Sequence, residues 1–317
     1  MNILPTIAAH NLSERTEEQK WLIDHLWTIG GVGIIGGEPK CCKSFLALSM
    51  AIAVSSGLAC LGRYKVGQQG RVVLYAAEDA PHIVRGRLEG ICRSNNIDLE
   101  SLDIQVITVP TLRLDKTSDQ EKLKNTVEKL RPQLLILDPF VRLHRIDENA
   151  SGEVAAILAS LRDIQRTYQT AIIVVHHSKK GGASSRAGQA LRGSSEFHAW
   201  GDVNLYLRRD HNDHLFLSVE HRDAKSQTGI PIQLSEENGN IILKVTDSNL
   251  DDCPIRKISI IEKIDKIYDG QNTLLSFTEI RSKVGARAVN VGQAIKELVA
   301  GGQLEKVSGG YRKIVTQ

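Results

Sequence analysis

GEPKCCKS, residues 37–44, comes within one residue of the pattern G-x-x-x-x-G-K-[ST], with Cys42 standing where the second glycine belongs. That pattern builds a loop at the mouth of a helix, and its backbone N–H groups wrap phosphate oxygens. The lysine, here Lys43, reaches the outer phosphates of ATP, and the hydroxyl, here Ser44, holds Mg2+. Such a match has meaning only when a strand precedes the loop and a helix follows it. GVGIIGG (31–37) is a short apolar run ending in glycines and reads as a buried strand, and FLALSMAIAVSSG (45–57) continues with helical spacing. Gly37, Glu38, Pro39, Lys40, Cys41, Cys42, Lys43, Ser44 and Phe45 are therefore the expected nucleotide-binding stretch. The absent glycine would supply backbone freedom and close approach. Cysteine is small, so the loop is expected to survive provided position 42 is not left-handed.

Outward from this loop, strands and helices alternate. RVVLYAAE (71–78), IQVITV (104–109), LLILDPF (134–140) and AIIVVHHS (171–178) read as strands. APHIVRGRLEGICRS (80–94), LKNTVEKLRPQ (123–133) and GEVAAILASLRDIQRTYQT (152–170) read as helices. The strand runs are rich in Val, Ile and Leu with little alternation, the mark of strands covered on both faces of a parallel sheet. VNLYLRR (203–209), LFLSVEHR (215–222) and IILKV (241–245) lack intervening helices and are expected as antiparallel strands at one edge. The polar TDSNLDDCP (246–254) reads as a linker. The chain is thus divided into an α/β domain over residues 1–248 and a small domain over 255–317. In the latter, three helical patterns and two short strands around Ser-Gly-Gly follow the winged-helix order.

Composition sets limits on class. With 317 residues, 41% hydrophobic and 24% charged, the chain supports a sizeable core. Aromatic residues make up only 4%, which speaks against an aromatic platform for stacking bases. The five cysteines form no C-x-x-C pair and no disulfide framework, and no secretory leader or membrane span is read, so a cytoplasmic setting is expected. Net charge is +3 but uneven: residues 255–317 hold 11 Lys+Arg against 6 Asp+Glu, leaving the remainder slightly acidic. The basic tail is a place to look for nucleic acid, although a solvated surface gives the same imbalance.

Three further elements carry chemistry. LLILDPF places Asp138 at the carboxyl end of a strand, where ligands of open α/β sheets bind, and where it would complete the Mg2+ shell. In YAAED (75–79), Glu78 also ends a strand. A carboxylate there orients or deprotonates an attacking water, whereas Asp79 is expected to cap the helix that opens at Pro81. VVHHS (174–178) ends with His176 and His177 on opposite faces. One is expected at the terminal phosphate and the other in the core. The following segment, KKGGASSRAGQALRG (179–193), is basic and glycine-rich; Lys179, Lys180 and Arg186 are either contacts to a phosphodiester backbone or a solvated loop.

Taken together, GEPKCCKS, YAAEDAP with GRL, LDPFVRLHRIDENASG, IIVVHHSKKG, LRGSS and AKSQTG resemble, in order and spacing, the RecA-like ATPase core of plasmid RepA-type hexameric replicative helicases, a family also typed as AAA-25. The resemblance spans about residues 30–245. It implies that Glu78 is the catalytic base, that His177 senses the γ-phosphate, that ATP binds between subunits of a ring, and that Lys225 approaches a neighbour's ATP. The chain departs from the family at Asp202, where the family's arginine finger falls; Arg192, Arg208, Arg209 and Arg222 are the substitutes at hand, none cleanly matched. The added tail is a second departure. In it, Val291, Ala294, Ile295 and Leu298 form an apolar face, while Arg287, Asn290, Gln293 and Lys296 lie opposite with donors for base edges and phosphates. The expected function is that of a Mg2+-dependent ring ATPase of six subunits, working on DNA as a plasmid or mobile-element helicase with replication or recombination proteins as partners. The alternative is an ATP-switched DNA-binding regulator or loader that does not unwind.

Overall fold

The computed structural model describes residues 4–12, 16, 18–177, 196–210, 214–237, 239–246, 260–268, 274–285 and 288–314. The chain divides into two compact units, Met1–Leu250 and Asp251–Gln317.

The first unit opens with a two-stranded ribbon, β1 (Trp21–Ile23) and β2 (Trp27–Thr28). The main sheet then forms from β3 (Val32–Gly37), β4 (Val72–Ala76), β5 (Ile104–Val106), β6 (Leu134–Asp138), β7 (Ala171–His177), β8 (Val203–Arg209), β9 (Leu215–His221), β10 (Gln227–Glu237) and β11 (Asn240–Val245). Their spatial order is β11-β10-β9-β8-β3-β7-β6-β4-β5. The six strands from β8 to β5 are parallel, and β9, β10 and β11 continue the sheet antiparallel. The helices α1 (Lys43–Ser56), α2 (Pro81–Ser94), α3 (Thr117–Leu130), α4 (Ser151–Tyr168) and α5 (Glu196–Trp200) cover it. One apolar cluster joins the sheet to α1 and α2, a second joins its other face to α3, α4 and α5. Burial on both faces is why these strands lack alternation.

Two expectations are corrected here, and one strand is new. Val203–Arg209 is not antiparallel to the core: it runs parallel to β3 and turns antiparallel only at β9. Gly33 permits the close approach of β8, since a Cβ there would fall 1.6 Å from the carbonyl oxygen of Val203. The third strand is confined to Ile104–Val106, and its side chains are partly or fully exposed because it is the sheet's edge and not an interior strand. Long β10, unanticipated from sequence, pairs with both β9 and β11.

The second unit contains α6 (Ile260–Ile267), α7 (Phe277–Val284), α8 (Ala288–Ala300) and a hairpin of β12 (Leu304–Val307) and β13 (Gly310–Lys313). A capping box starts α7: Ser276 accepts from the Glu279 backbone and the Glu279 carboxylate accepts from Ser276. Gly285, left-handed at φ 65°, ends it. Val291, Ala294, Ile295 and Leu298 of α8 are buried with Ile264, Tyr268, Ile280 and Leu304 in a separate core.

Candidate nucleotide site

The carboxyl ends of β3, β4, β6 and β7 lie side by side, and each carries one group singled out by sequence. The loop of residues 38–42 leaves β3 and delivers Lys43 and Ser44 as the first two residues of α1. Glu38, Pro39 and Lys40 are exposed, Cys41 and Lys43 are buried, and Cys42, Ser44 and Phe45 lie between. Lys43 Nζ folds back to donate to the carbonyl oxygens of Gly37 (3.1 Å) and Glu38 (2.8 Å). Burial holds its pKa below the usual lysine range, opposed by the nearby Cys41, Asp138, Cys42 and Glu78.

Cys42 is left-handed, with φ 60° and ψ 23°, which corrects the premise on which the loop was expected to tolerate it. A side chain in this region costs roughly 1–2 kcal/mol, which is why glycine is the usual occupant. Two contacts bridge the loop to the end of β8. Arg209 Nη2 donates to Cys42 Sγ at 3.7 Å. Burial pushes the Cys41 thiol up, against the Lys43 ammonium and the Arg209 backbone N–H, both of which favour the thiolate. Of the proposed arginine substitutes, Arg209 thus stands at its own chain's loop.

Asp138, at the end of β6, is bonded to the Ser44 side chain; burial pushes its carboxyl up to about 6, opposed by that bond. Glu78, two residues past β4, accepts from Arg142 Nε at 2.8 Å. Asp79 does not cap α2. Ala80 occupies the cap without a side-chain bond, Pro81 begins the helix, and Asp79 accepts from Arg87 Nη1 at 2.5 Å. Arg87 also lies 5.6 Å from the Phe45 ring centre. The two histidines divide as strand geometry requires. His176 is buried, stacked on Phe197 at 4.2 Å. His177 faces the site, where burial first and then the Lys43 ammonium hold its pKa below the usual value, leaving the imidazole neutral at pH 7. Its Nδ1 is buried without a partner among the described residues.

The donor set fits a phosphate–Mg2+ group. Among the described residues no cluster of three His, Cys, Asp or Glu side chains forms a protein-only metal site. One hydroxyl and one carboxylate, Ser44 and Asp138, suit a cation that keeps waters and takes its other oxygens from phosphates.

The remaining named residues are scattered. Lys225 is exposed in the turn after β9, at the far end of the sheet from the loop. Asp202 is a structural carboxylate: it accepts from the Val32 backbone at 3.1 Å and from Arg162 at 2.6 and 3.1 Å, and pairs with Arg222 at 3.2 Å. Arg222 also donates to the Ala199 carbonyl, so it belongs to this scaffold. Asn290, Gln293 and Lys296 are exposed on α8, with Gln293 donating to Glu297 at 3.0 Å. Lys179, Lys180, Arg186, Arg192 and Arg287 lie outside the described residues. Sequence reasoning missed Arg142 and the placement of Arg209; the only signal for Arg142 was a cation four residues beyond Asp138.

These features define an α/β core built on a large, mostly parallel sheet, consistent with a RecA-like fold, with the candidate site at the carboxyl ends of its strands. The AAA-25 family model, described as an AAA domain, matches residues 2–183, and the chain belongs to that family. A solved structure described as a DnaB-like replicative helicase and its interactions with primase is similar, with TM-score 0.51 and 16% identity. The match covers 68% of this chain and 57% of that one, and establishes likeness of fold. No helix among the described residues is long and apolar enough to cross a membrane.

Proposed function

We propose that the chain is a Mg2+-dependent ATPase that assembles as a ring of six and couples hydrolysis to movement along DNA, in the manner of a plasmid or mobile-element replicative helicase. The observation that carries the reading is the convergence of Lys43, Ser44, Asp138, Glu78 and His177 at one end of the sheet. In this reading the loop N–H groups and Lys43 bind the phosphates. Ser44 and Asp138 hold the cation, whose charge offsets that of the phosphates. Glu78 orients water and takes its proton on a carboxylate oxygen. Neutral His177 donates a ring N–H to an oxygen of the terminal phosphate, and its position at the end of β7 ties that contact to the segment that follows.

Residues 255–317 are read as a winged-helix domain, with α8 presenting Asn290, Gln293 and Lys296 to DNA. That exposed polar face also favours a second reading, an ATP-switched DNA-binding regulator or loader whose tail recognises a site or a replication or recombination protein. Strand displacement separates the two. A forked duplex unwound in step with ATP turnover, and stalled by Lys43→Ala, supports the helicase. ATPase activity and DNA binding with no displacement, under conditions where the ring is assembled, supports the switch.

A further inference from the structure

Arg142 Nε donates to Glu78 Oε1 at 2.8 Å, joining the ends of neighbouring strands β4 and β6. Both side chains face solvent, at 61% and 43% exposure. The backbone beneath Arg142 is firmly seated. Phe140, Leu143 and His144 are buried, the Leu114 N–H donates to the Leu143 carbonyl, and Arg113 Nη1 donates to the carbonyls of Arg142 and His144. The movable part is therefore the arginine side chain. Arg142 and Arg145 are both exposed on this segment. Its acids are engaged locally: Asp147 accepts from Asn149, and Glu148 meets His144 at 3.4 Å. The outward face is left cationic.

We propose that Arg142 is a positioning residue that withholds Glu78 until a phosphodiester backbone takes its guanidinium. This rests on the reading of Glu78 as the group that orients water. The Arg142 N–H takes one acceptor position of Oε1 and holds the carboxylate toward the end of β6, fixing its orientation while its other lone pairs stay open to solvent. An exposed ion pair of this kind biases its population by no more than about fivefold, equivalent to about 1 kcal/mol. A polynucleotide, which presents a row of phosphates to a fork shaped for bidentate contact, competes effectively with one carboxylate. Nucleic acid bound near β6 thereby releases the base at the end of β4, and hydrolysis without a track is held down.

The test compares full-length protein with Arg142→Ala and Arg142→Lys, with and without single-stranded oligothymidylate, and measures ATP turnover and salt-dependent binding of the oligonucleotide. Arg142→Ala is expected to raise DNA-free turnover two- to fivefold, to bring stimulation by DNA close to one, and to lower the salt slope of binding by about one. Arg142→Lys, which keeps the charge, is expected to retain part of the stimulation. DNA-free turnover that is unchanged or reduced in Arg142→Ala overturns the proposal, as does a wild-type rate indifferent to DNA. Glu78→Gln run alongside separates the two levels of the argument. Wild-type turnover in that variant removes the reading of Glu78 itself; an inactive Glu78→Gln beside an unaccelerated Arg142→Ala removes only the withholding role.

Discussion

Replacing Cys42 tests the geometry of the phosphate loop directly. At φ 60° and ψ 23°, glycine removes a left-handed cost of roughly 1–2 kcal/mol. Against this stand the loss of a half-buried side chain packed on the α1 side of the sheet, and of its contact with Arg209. Those losses come to about 0.5–1 kcal/mol, and the freer unfolded chain that glycine brings costs about as much again. The terms nearly cancel, so Cys42→Gly should melt within about 3 °C of the parent, since ~1 kcal/mol moves Tm by a few degrees in a domain of this size. Its ATP turnover should equal or exceed the parent's. Cys42→Val is the opposing arm. A β-branched residue is a worse occupant of the left-handed region, and destabilisation of about 1–2 kcal/mol, with weaker ATP binding, is expected. Thermal melts with circular dichroism and steady-state ATPase assays read both. A valine variant that melts and hydrolyses like the parent would refute the left-handed assignment.

Thiol chemistry should follow burial: Cys60 is pushed up to about 12 and Cys92 to about 11, and Cys41 is raised and enclosed, so at pH 8 an alkylating reagent should modify half-exposed Cys42 before these three, as read by peptide mass spectrometry, with Mg2+-ATP slowing it. Asp138, raised to about 6, is protonated in the metal-free fold below that pH, and the cost of ionising it grows from the ordinary carboxylate range up to about 6 and is constant above. The gain in Tm from Mg2+ with ATP over ATP alone should therefore be larger at pH 7.5 than at pH 5.5; equal gains contradict the assignment of Asp138 to the cation. Lys225→Ala should lose turnover more than ATP affinity, and mixing it with Lys43→Ala protein should recover part of the activity, because one interface then combines an intact loop with an intact lysine; no recovery across mixing ratios, with mixed rings verified, counts against a shared site. Deleting residues 255–317 should weaken duplex binding in a salt-dependent way and leave DNA-free ATPase largely intact, and unchanged duplex affinity across salt removes the tail as a DNA-binding module.

The placement of the candidate site residues was legible because each sits where local pattern has a fixed geometric meaning. Lys43 and Ser44 open a helix after a glycine-ended strand, and Glu78, Asp138 and His177 each follow or close an apolar run at the same end of a parallel sheet. Strand alternation likewise separated His177 from His176. What escaped was long-range or dihedral. The sign of φ at Cys42 is a backbone property that residue size does not report. The direction of β8 was misread because only five-residue α5 precedes it among the described residues, leaving no long helix to signal a crossover. Asp79 looked like a cap because it stands just ahead of Pro81, yet its partner, Arg87, is eight residues away on the same helix. Arg142 and Glu78 are 64 residues apart, and Arg209 and Cys42 are 167 apart, separations that no local pattern encodes.

The sheet register bears on how the site would be completed. Gly37 pairs with Leu207, so Arg209 emerges beside the loop, whereas His221 pairs with Val203 at the opposite end of the strands. The turn that carries Lys225 follows His221, about 20 Å from the loop along the six residues of β3. A lysine side chain does not span that distance, so any contact between Lys225 and a nucleotide must be with one held by another copy of the chain. Asp202 and Arg222, near the same end, are already committed to Arg162, Val32 and the Ala199 carbonyl. Their engagement leaves them as a brace between β8, β9 and α4. Arg209 is oriented to its own loop, so within the described residues the shared-site reading turns on exposed Lys225 and exposed Arg208 and not on these three groups.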